Sequence, residues 1–405
     1  MDGRAAWAIG GEGPRRWGLC DRLGLQPGET AWLPRVGASG QRHFRLDHRD
    51  LRGSAQRVLD ALQSDRAAGH LAVGWIGYEI GAALEGVACG GRRSWPDAAW
   101  WICGPEALRV ARLPALPATN APLAPQSLRR QGARYRRDVA GLVERIAAGE
   151  FYQVNLTVTA AAGRVGERDA SAVVAALMAA QPVPLAWALC VPGYPNRVVA
   201  SGSMERFLRL DGDRIATRPI KGTTARGDDP ERDAQLAAAL LAKPKERAEN
   251  TMIVDMARND IQRVCAPLSV VVTSLLQAVP YSTLWHLESE VEGNLRTRDI
   301  AEVLRATLPP ASVTGCPKVQ AMKAIAATER RQRGPYCGAT FCLDPAGVDD
   351  FAVAIRTLRL DRGAARIDVG AGIVAESDPA SEWVETCRKA VGALRALSLL
   401  ERLHA

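Results

Sequence analysis

Apolar positions recur along this chain at two spacings. Between residues 134 and 149, Tyr135, Val139, Leu142, Val143 and Ile146 return every three or four residues, which predicts an amphipathic helix. The next stretch, FYQVNLTVTAAA at 151–162, alternates as a strand does. Strand-like runs follow in RVVASGS (197–203), DRIATRPI (213–220), LSVVVTSLL (268–276), FAVAIRTLRL (351–360) and ARIDVGAGIV (365–374). Helices are predicted over 231–242, 245–264, 299–307, 317–329 and 379–401. Asp378 can cap the last of these, and Pro379 suits its first position. Many strands without a regular strand–helix alternation predict an α+β (mixed α/β) fold with largely antiparallel sheets.

Prolines punctuate the chain. Pro105, Pro114, Pro117, Pro122 and Pro125 mark a loop or a connection, which separates an N-terminal subdomain at 1–125 from a larger domain at 126–405. Seven of the ten tryptophans lie within residues 1–101 and read as packed core ahead of a ligand pocket. A length of 405 residues suits two domains or one large two-layer domain. No continuous apolar segment opens the chain as a signal peptide does. The most apolar stretch, 172–193, is broken by Gln181, Pro182 and Pro184, so no membrane span is expected. Nine dispersed cysteines without CxxC spacing read as the reduced thiols of a cytoplasmic protein. The net charge of +8 comes from scattered arginines, with no basic run interleaved with aromatics. A solvated surface fits that pattern better than nucleic-acid binding.

The basic residues are unevenly chosen. Of 52, only six are lysine: Lys221, Lys243, Lys245, Lys318, Lys323 and Lys389. An amine that must attack carbon cannot be replaced by a guanidinium, so the lysines are candidates as a set. Lys221 stands in RPIKGTT, and Glu205, in SGSMERF, lies 16 residues before it. Two strands joined at the LDGD turn (210–213) would bring them together. An acid beside an amine suits a reaction in which one atom is attacked while a hydroxyl leaves.

Two predicted helices carry carboxylates three residues apart, Glu246 with Glu249 and Glu382 with Glu385. Each pair alone also reads as a solvated face. If the helices meet, four carboxylates converge and require a cation, and hard oxygen donors suit Mg²⁺. The five histidines are scattered, against zinc. Glycines in GAGI (370–373) and TGCPK (314–318) mark positive φ or a close backbone approach, where N–H groups can bind a carboxylate; a plain turn explains them as well. Arg356 interrupts an apolar run where burial is expected. It requires an anion, from a ligand carboxylate or an internal salt bridge.

Together FYQVNLT, TRPIKGT, RAENTMIVDMARNDI, SVTGCPK, IRTLRL and GAGIVAESDPASEWVET resemble the motifs of the chorismate-utilising enzymes over residues 126–405. The resemblance implies that family's fold, two large, mainly antiparallel sheets flanked by helices. Residues 1–125 match weakly, through GWIGYEIG (74–81). The lysine in PIKGT resembles the aminodeoxychorismate synthase component I branch, whereas anthranilate synthases carry alanine there. Members that activate water carry a lysine where this chain has Gln153.

The resemblance therefore implies amination of chorismate to 4-amino-4-deoxychorismate, for p-aminobenzoate and folate synthesis. Lys221, held substantially neutral, is implied as the nucleophile at C2. Glu205, with a raised pKa, is implied as the acid at the departing C4 hydroxyl, after which ammonia displaces the lysine. Mg²⁺ is implied on Glu249 and Glu385, with Glu246 and Glu382 supporting its water shell. Arg356, Tyr336, Lys389 and the backbone around Gly370 and Gly372 are implied to hold a substrate carboxylate. Gly222 and Thr223, which follow the nucleophile, are implied as substrate-binding, and His286 is implied near the ring. No glutaminase segment is recognisable, so a separate glutamine amidotransferase subunit is implied as the ammonia source. The alternatives are anthranilate synthase component I and a non-catalytic chorismate-binding subunit.

Overall fold

The computed structural model describes residues 5–11, 16–34, 42–46, 51–91, 94–112, 126–194, 196–281 and 284–402. Two large sheets dominate it, and every pairing between their named strands is antiparallel. A nine-stranded sheet runs in the order Gly315–Cys316, Gln153–Arg164, Ala364–Ile373, Thr357–Asp361, Arg197–Ser203, Leu185–Cys190, Ala5–Gly10, Glu29–Pro34 and Arg109–Arg112. The second sheet has ten strands, one of which, Val271–Pro280, lies off the main order and pairs with Leu284–Asn294. Strands from residues 5–112 complete both sheets.

A core rich in tryptophan lies between the sheets at that end. Trp7, Trp187 and Leu189 come from the nine-stranded sheet, and Val73, Trp75 and Ala352 from the other; all are buried. Trp75 and Trp187 meet edge to face with ring centroids 6.1 Å apart. Aromatic pairs favour that geometry because a positive ring edge meets a negative face. No helix among the described residues is long and apolar enough to cross a membrane.

The predicted helices form close to their expected bounds, as Pro230–Ala242, Pro244–Gln262, Ile300–Thr307 and Lys318–Glu329. Side-chain caps set the starts of the first and third of these and of the helix at 379, where Asp229, Asp299 and Asp378 each accept from the backbone of the first turn; Lys243 and Pro317 make no such cap. Three expectations need correction. The helix expected over 379–401 is two, Pro379–Lys389 and Val391–Arg402, because Ala390 N bonds the carbonyl only three residues back, at Cys387. The strand expected over 213–220 breaks at Pro219, which has no N–H for the ladder. The strand expected over 351–360 is two strands in different sheets, Asp349–Val353 and Thr357–Asp361. The proline-rich connection falls mostly at 113–125, outside the described residues.

The broken strand has a neighbour that behaves alike. Arg197–Ser203 lies in the nine-stranded sheet and Arg206–Asp211 in the ten-stranded one. These two chains cross between sheets side by side: Val353 N donates to Glu205 O at 3.0 Å and Ser201 Oγ to Ile355 O at 2.7 Å. Glu205 and Arg356 therefore sit at paired crossings, where side chains leave the regular alternation of a strand.

Candidate active site

The Ile220–Ala225 strand pairs with Leu284–Asn294, but its register slips between Ile220, opposite Glu288, and Thr223, opposite His286. Lys221 and Gly222 thus share one opposing residue, Leu287, which makes a β-bulge. Gly222 takes a φ of +87° there. A bulge re-aims side chains, and Lys221 lines a cavity of about 920 Å³. Its Nζ donates to Ser312 O at 3.2 Å. Across the cavity, on Ala364–Ile373 of the nine-stranded sheet, a Cβ added to Gly372 would lie 3.3 Å from Lys221 Nζ and 2.8 Å from Gln153 Nε2. Glycine at 372 leaves room for both. Gln153 is fully buried, and neither amide atom has a hydrogen-bond partner among the described residues.

The hairpin of Arg206–Asp211 with Arg214–Arg218 brings Glu205 to the same cavity as Lys221. Glu205 is 6% exposed. Burial pushes its carboxyl up to about 7, against a hydrogen bond with the Ser312 side chain and the charge of Lys221, which both lower it. Ser312 therefore touches both groups, the amine through its carbonyl and the carboxyl through its hydroxyl.

Helix Pro244–Gln262 carries Glu246 and Glu249, and helix Pro379–Lys389 carries Glu382 and Glu385; all four line the cavity. Lys245 Nζ lies 3.3 Å from Glu382 Oε1 and 3.8 Å from Glu249 Oε1. Lys389 Nζ lies 2.7 Å from Glu385 Oε1, and Ser377 Oγ donates to Glu382 at 2.6 Å. Burial raises the Glu246 carboxyl, with Glu385 adding repulsion. Burial also raises Glu249, with Glu246 and Glu382 repelling it and Lys221 and Lys245 opposing. Glu385 is also penalised by burial, but Lys389 together with Lys221 and Lys245 outweighs that and leaves its pKa below the ordinary value. Mutually repelling oxygen donors fit a hard divalent cation such as Mg²⁺ in chemistry. In spacing, no group of three or more His, Cys, Asp or Glu among the described residues is drawn together as a metal centre. Two lysine ammonium groups lie among these carboxylates instead.

Arg356, at φ +50°, also lines the cavity. Burial lowers its pKa to about 10, and Tyr281 opposes the shift; among the described residues no carboxylate forms an ion pair with it. Tyr336 is buried in the same wall, and Lys389 Nζ donates to Gly370 O at 3.2 Å. His286 Nδ1 lies 3.0 Å from Thr223 Oγ1, while its buried Nε2 has no partner among the described residues. Burial, with Arg356 and Lys389 adding, lowers its pKa to about 3, so the imidazole is neutral at physiological pH.

The fourteen residues given a catalytic, substrate or metal role from the sequence all line this one cavity, whereas Gln153 and the TGCPK glycine Gly315 are not among its lining residues. So do four of the six lysines: Lys221, Lys243, Lys245 and Lys389. Lys318 instead pairs with Asp260 at 2.6 Å, an ordinary ion pair. Sequence reasoning missed Asn155 and Ser312, which also line the cavity. Asn155 could have been found two residues after Gln153, on the same strand face. Ser312 lies 91 residues from Lys221, and no local pattern joins them.

The chorismate binding enzyme family matches residues 26–395. The chain is 38% identical over 301 residues to anthranilate synthase component 1 2 of Haloarcula marismortui, covering 72% of this chain and 55% of that protein. It is 38% identical over 309 residues to aminodeoxychorismate synthase of Streptomyces griseus, covering 74% of this chain and 42% of that protein. The chain spans about half the length of the curated relatives it matches. Anthranilate synthase component I of Streptococcus pneumoniae shares the fold, with a TM-score of 0.72 at 22% identity over 92% of this chain and 93% of that one.

Proposed function

Because the chain belongs to the chorismate binding enzyme family, we propose that it is an aminodeoxychorismate synthase component I. It aminates chorismate at C4 with ammonia from a separate glutamine amidotransferase subunit, on the way to p-aminobenzoate and folate. The observation that carries this reading is the amine of Lys221, presented at a bulge into the cavity that the buried carboxyl of Glu205 also lines. A similarity of 38% to a protein named aminodeoxychorismate synthase supports it.

In the proposed reaction Lys221 bonds to C2, the ring double bond shifts, and the C4–O bond breaks. Glu205 gives its proton to the hydroxyl, which leaves as water. Ammonia then attacks C4, the double bond returns, and the C2–N bond breaks to release Lys221 as the amine. Glu205, now a carboxylate, takes a proton from the new C4 ammonium and is ready again. A carboxyl near 7 suits both halves of that cycle. Arg356, Tyr336 and Lys389, with the backbone at Gly370 and Gly372, hold one substrate carboxylate. Mg²⁺ on Glu249 and Glu385, with Glu246 and Glu382 on its waters, would supply positive charge to the other. Gln153 offers an amide where a base would activate water, which favours amination over hydration. The nine cysteines are free thiols, as a reducing cytoplasm keeps them.

Anthranilate synthase component I is the second reading, favoured by the names of other relatives at 38% identity. The product decides. Purified protein is incubated with chorismate, Mg²⁺ and ammonium, then with excess aminodeoxychorismate lyase, and chromatographed. p-Aminobenzoate is expected, and its loss in Lys221→Ala. Anthranilate from the wild type, or undiminished aminodeoxychorismate from Lys221→Ala, overturns the assignment.

A further inference from the structure

One buried guanidinium ties together the walls of the cavity. Arg333 is 1% exposed. Its Nη1 donates to Val313 O at 2.9 Å and its Nη2 to Asn155 O at 2.6 Å, while Nε and Nη2 clasp Glu329 at 3.0 and 2.6 Å. Val313 and Asn155 line the cavity, and Val313 follows Ser312, which touches both Lys221 and Glu205. Three residues beyond Arg333 is Tyr336, a further wall.

The anchor of this clasp comes from the other end of the chain. Arg333 N and Gly334 N donate to the two carboxylate oxygens of Glu79, at 2.7 and 3.0 Å. Tyr78 N donates to Gly334 O at 2.9 Å, and the Tyr78 ring lies 4.5 Å from the Arg333 guanidinium carbon. Glu79 is 1% exposed and does not line the cavity. Both residues belong to GWIGYEIG, the one segment of residues 1–125 that resembled the family. A carboxylate that accepts two successive backbone N–H groups fixes that peptide in position and direction. Removing one acceptor leaves a buried N–H unsatisfied, which the surrounding segment must move to relieve.

We propose that Glu79 is a positioning residue for the active site: through the Arg333–Gly334 backbone it sets where Tyr336 meets the substrate, and through the Arg333 side chain where Asn155 and Ser312 stand. The proposal rests on the reading that Tyr336 helps to hold a substrate carboxylate. A brace needed only for stability could end anywhere in the core, whereas this one ends on three parts of one cavity.

Glu79→Gln keeps the size and one accepting oxygen but turns the other into a donor facing an N–H. Its KM for chorismate is expected to rise about ten-fold, the scale on which small misplacements act, with kcat changed less. Arg333→Lys, which keeps the charge but not the clasp, is expected to raise KM and lower kcat, because the Ser312 wall loosens too. Leu33→Ala, fully buried in the tryptophan-rich core and not on the cavity, serves as the control that lowers Tm without moving KM. If Glu79→Gln and Arg333→Lys both lower Tm and leave KM as in Leu33→Ala, the brace is merely structural and the proposal falls. Chorismate disappearance is the readout. An anthranilate product would overturn amination at C4 and leave this comparison intact.

Discussion

Burial favours the protonated form of Glu205. Its ordinary value is 4.5, and burial raises it to about 7. Between those values the native chain holds a proton that the unfolded chain has released, so stability falls as pH rises from 4.5 to 7 and stays lower above. Glu205→Gln cannot ionise and loses that slope. The stability of the variant relative to wild type is expected to improve by roughly 3 kcal/mol between pH 4.5 and pH 8, read from urea unfolding. Taking the difference removes the contribution of Glu79, which burial also raises to about 7 and which both proteins share. A difference that does not change with pH would mean an ionised Glu205, unable to act as an acid. The same substitution is expected to lower kcat by about 10²-fold or more, the usual contribution of a general acid. Nearness of this residue to Lys221 was legible in sequence, since a short hairpin joins them. Ser312 was not, because its contact with the two is made by the fold and not by any spacing.

At the level of elements, the bulge at Lys221 and Gly222 converts a strand into a catalytic mount. An alanine at 222 would have to adopt a φ of +87°, and its Cβ would meet Glu246 Oε2 at 3.1 Å and Leu287 Cδ1 at 3.2 Å. Left-handed strain costs about 1–2 kcal/mol. Gly212, at φ +59° in the LDGD turn, has nothing within 4 Å of such a Cβ. Gly212→Ala therefore carries the strain alone. Both variants are expected to lose about 1–2 kcal/mol of stability, while only Gly222→Ala loses kcat, by about ten-fold through the displaced amine. Equal kcat values would separate the bulge from the chemistry. Three of the helices were legible because their starts are written locally, in Asp229, Asp299 and Asp378 and the prolines that follow two of them. The run FAVAIRTLRL misled because its apolar residues are buried on both sides of a crossing. Hydrophobicity records burial there, and the change of sheet at Arg356 leaves no mark in it.

For the whole molecule, the tryptophans of the first hundred residues were rightly read as core, but the core is shared. Trp75 from the early chain meets Trp187 from the later chain between the two sheets, in a layer that includes Trp7, Leu189 and Ala352. Prolines record where the covalent path loosens; cooperativity depends on what is buried against what. With strands of residues 5–112 in both sheets, neither half can lose its structure without exposing the apolar face of the other. Unfolding in urea is therefore expected to be one transition, with far-UV circular dichroism, tryptophan fluorescence and chorismate consumption lost together. Trp75→Ala and Trp187→Ala are each expected to cost about 3–5 kcal/mol. Their combination should show a coupling of about 0.5–1.5 kcal/mol beyond additivity, since the two rings touch. An early transition that left activity intact would make residues 1–125 a separate unit, and Glu79 could not then hold the Tyr336 segment from there. Cooperativity across the sheets and positioning of the site are thus one physical requirement, because the carboxylate that braces Arg333 stands on the helix Tyr78–Leu84, which follows directly on the Leu71–Ile76 strand of the ten-stranded sheet.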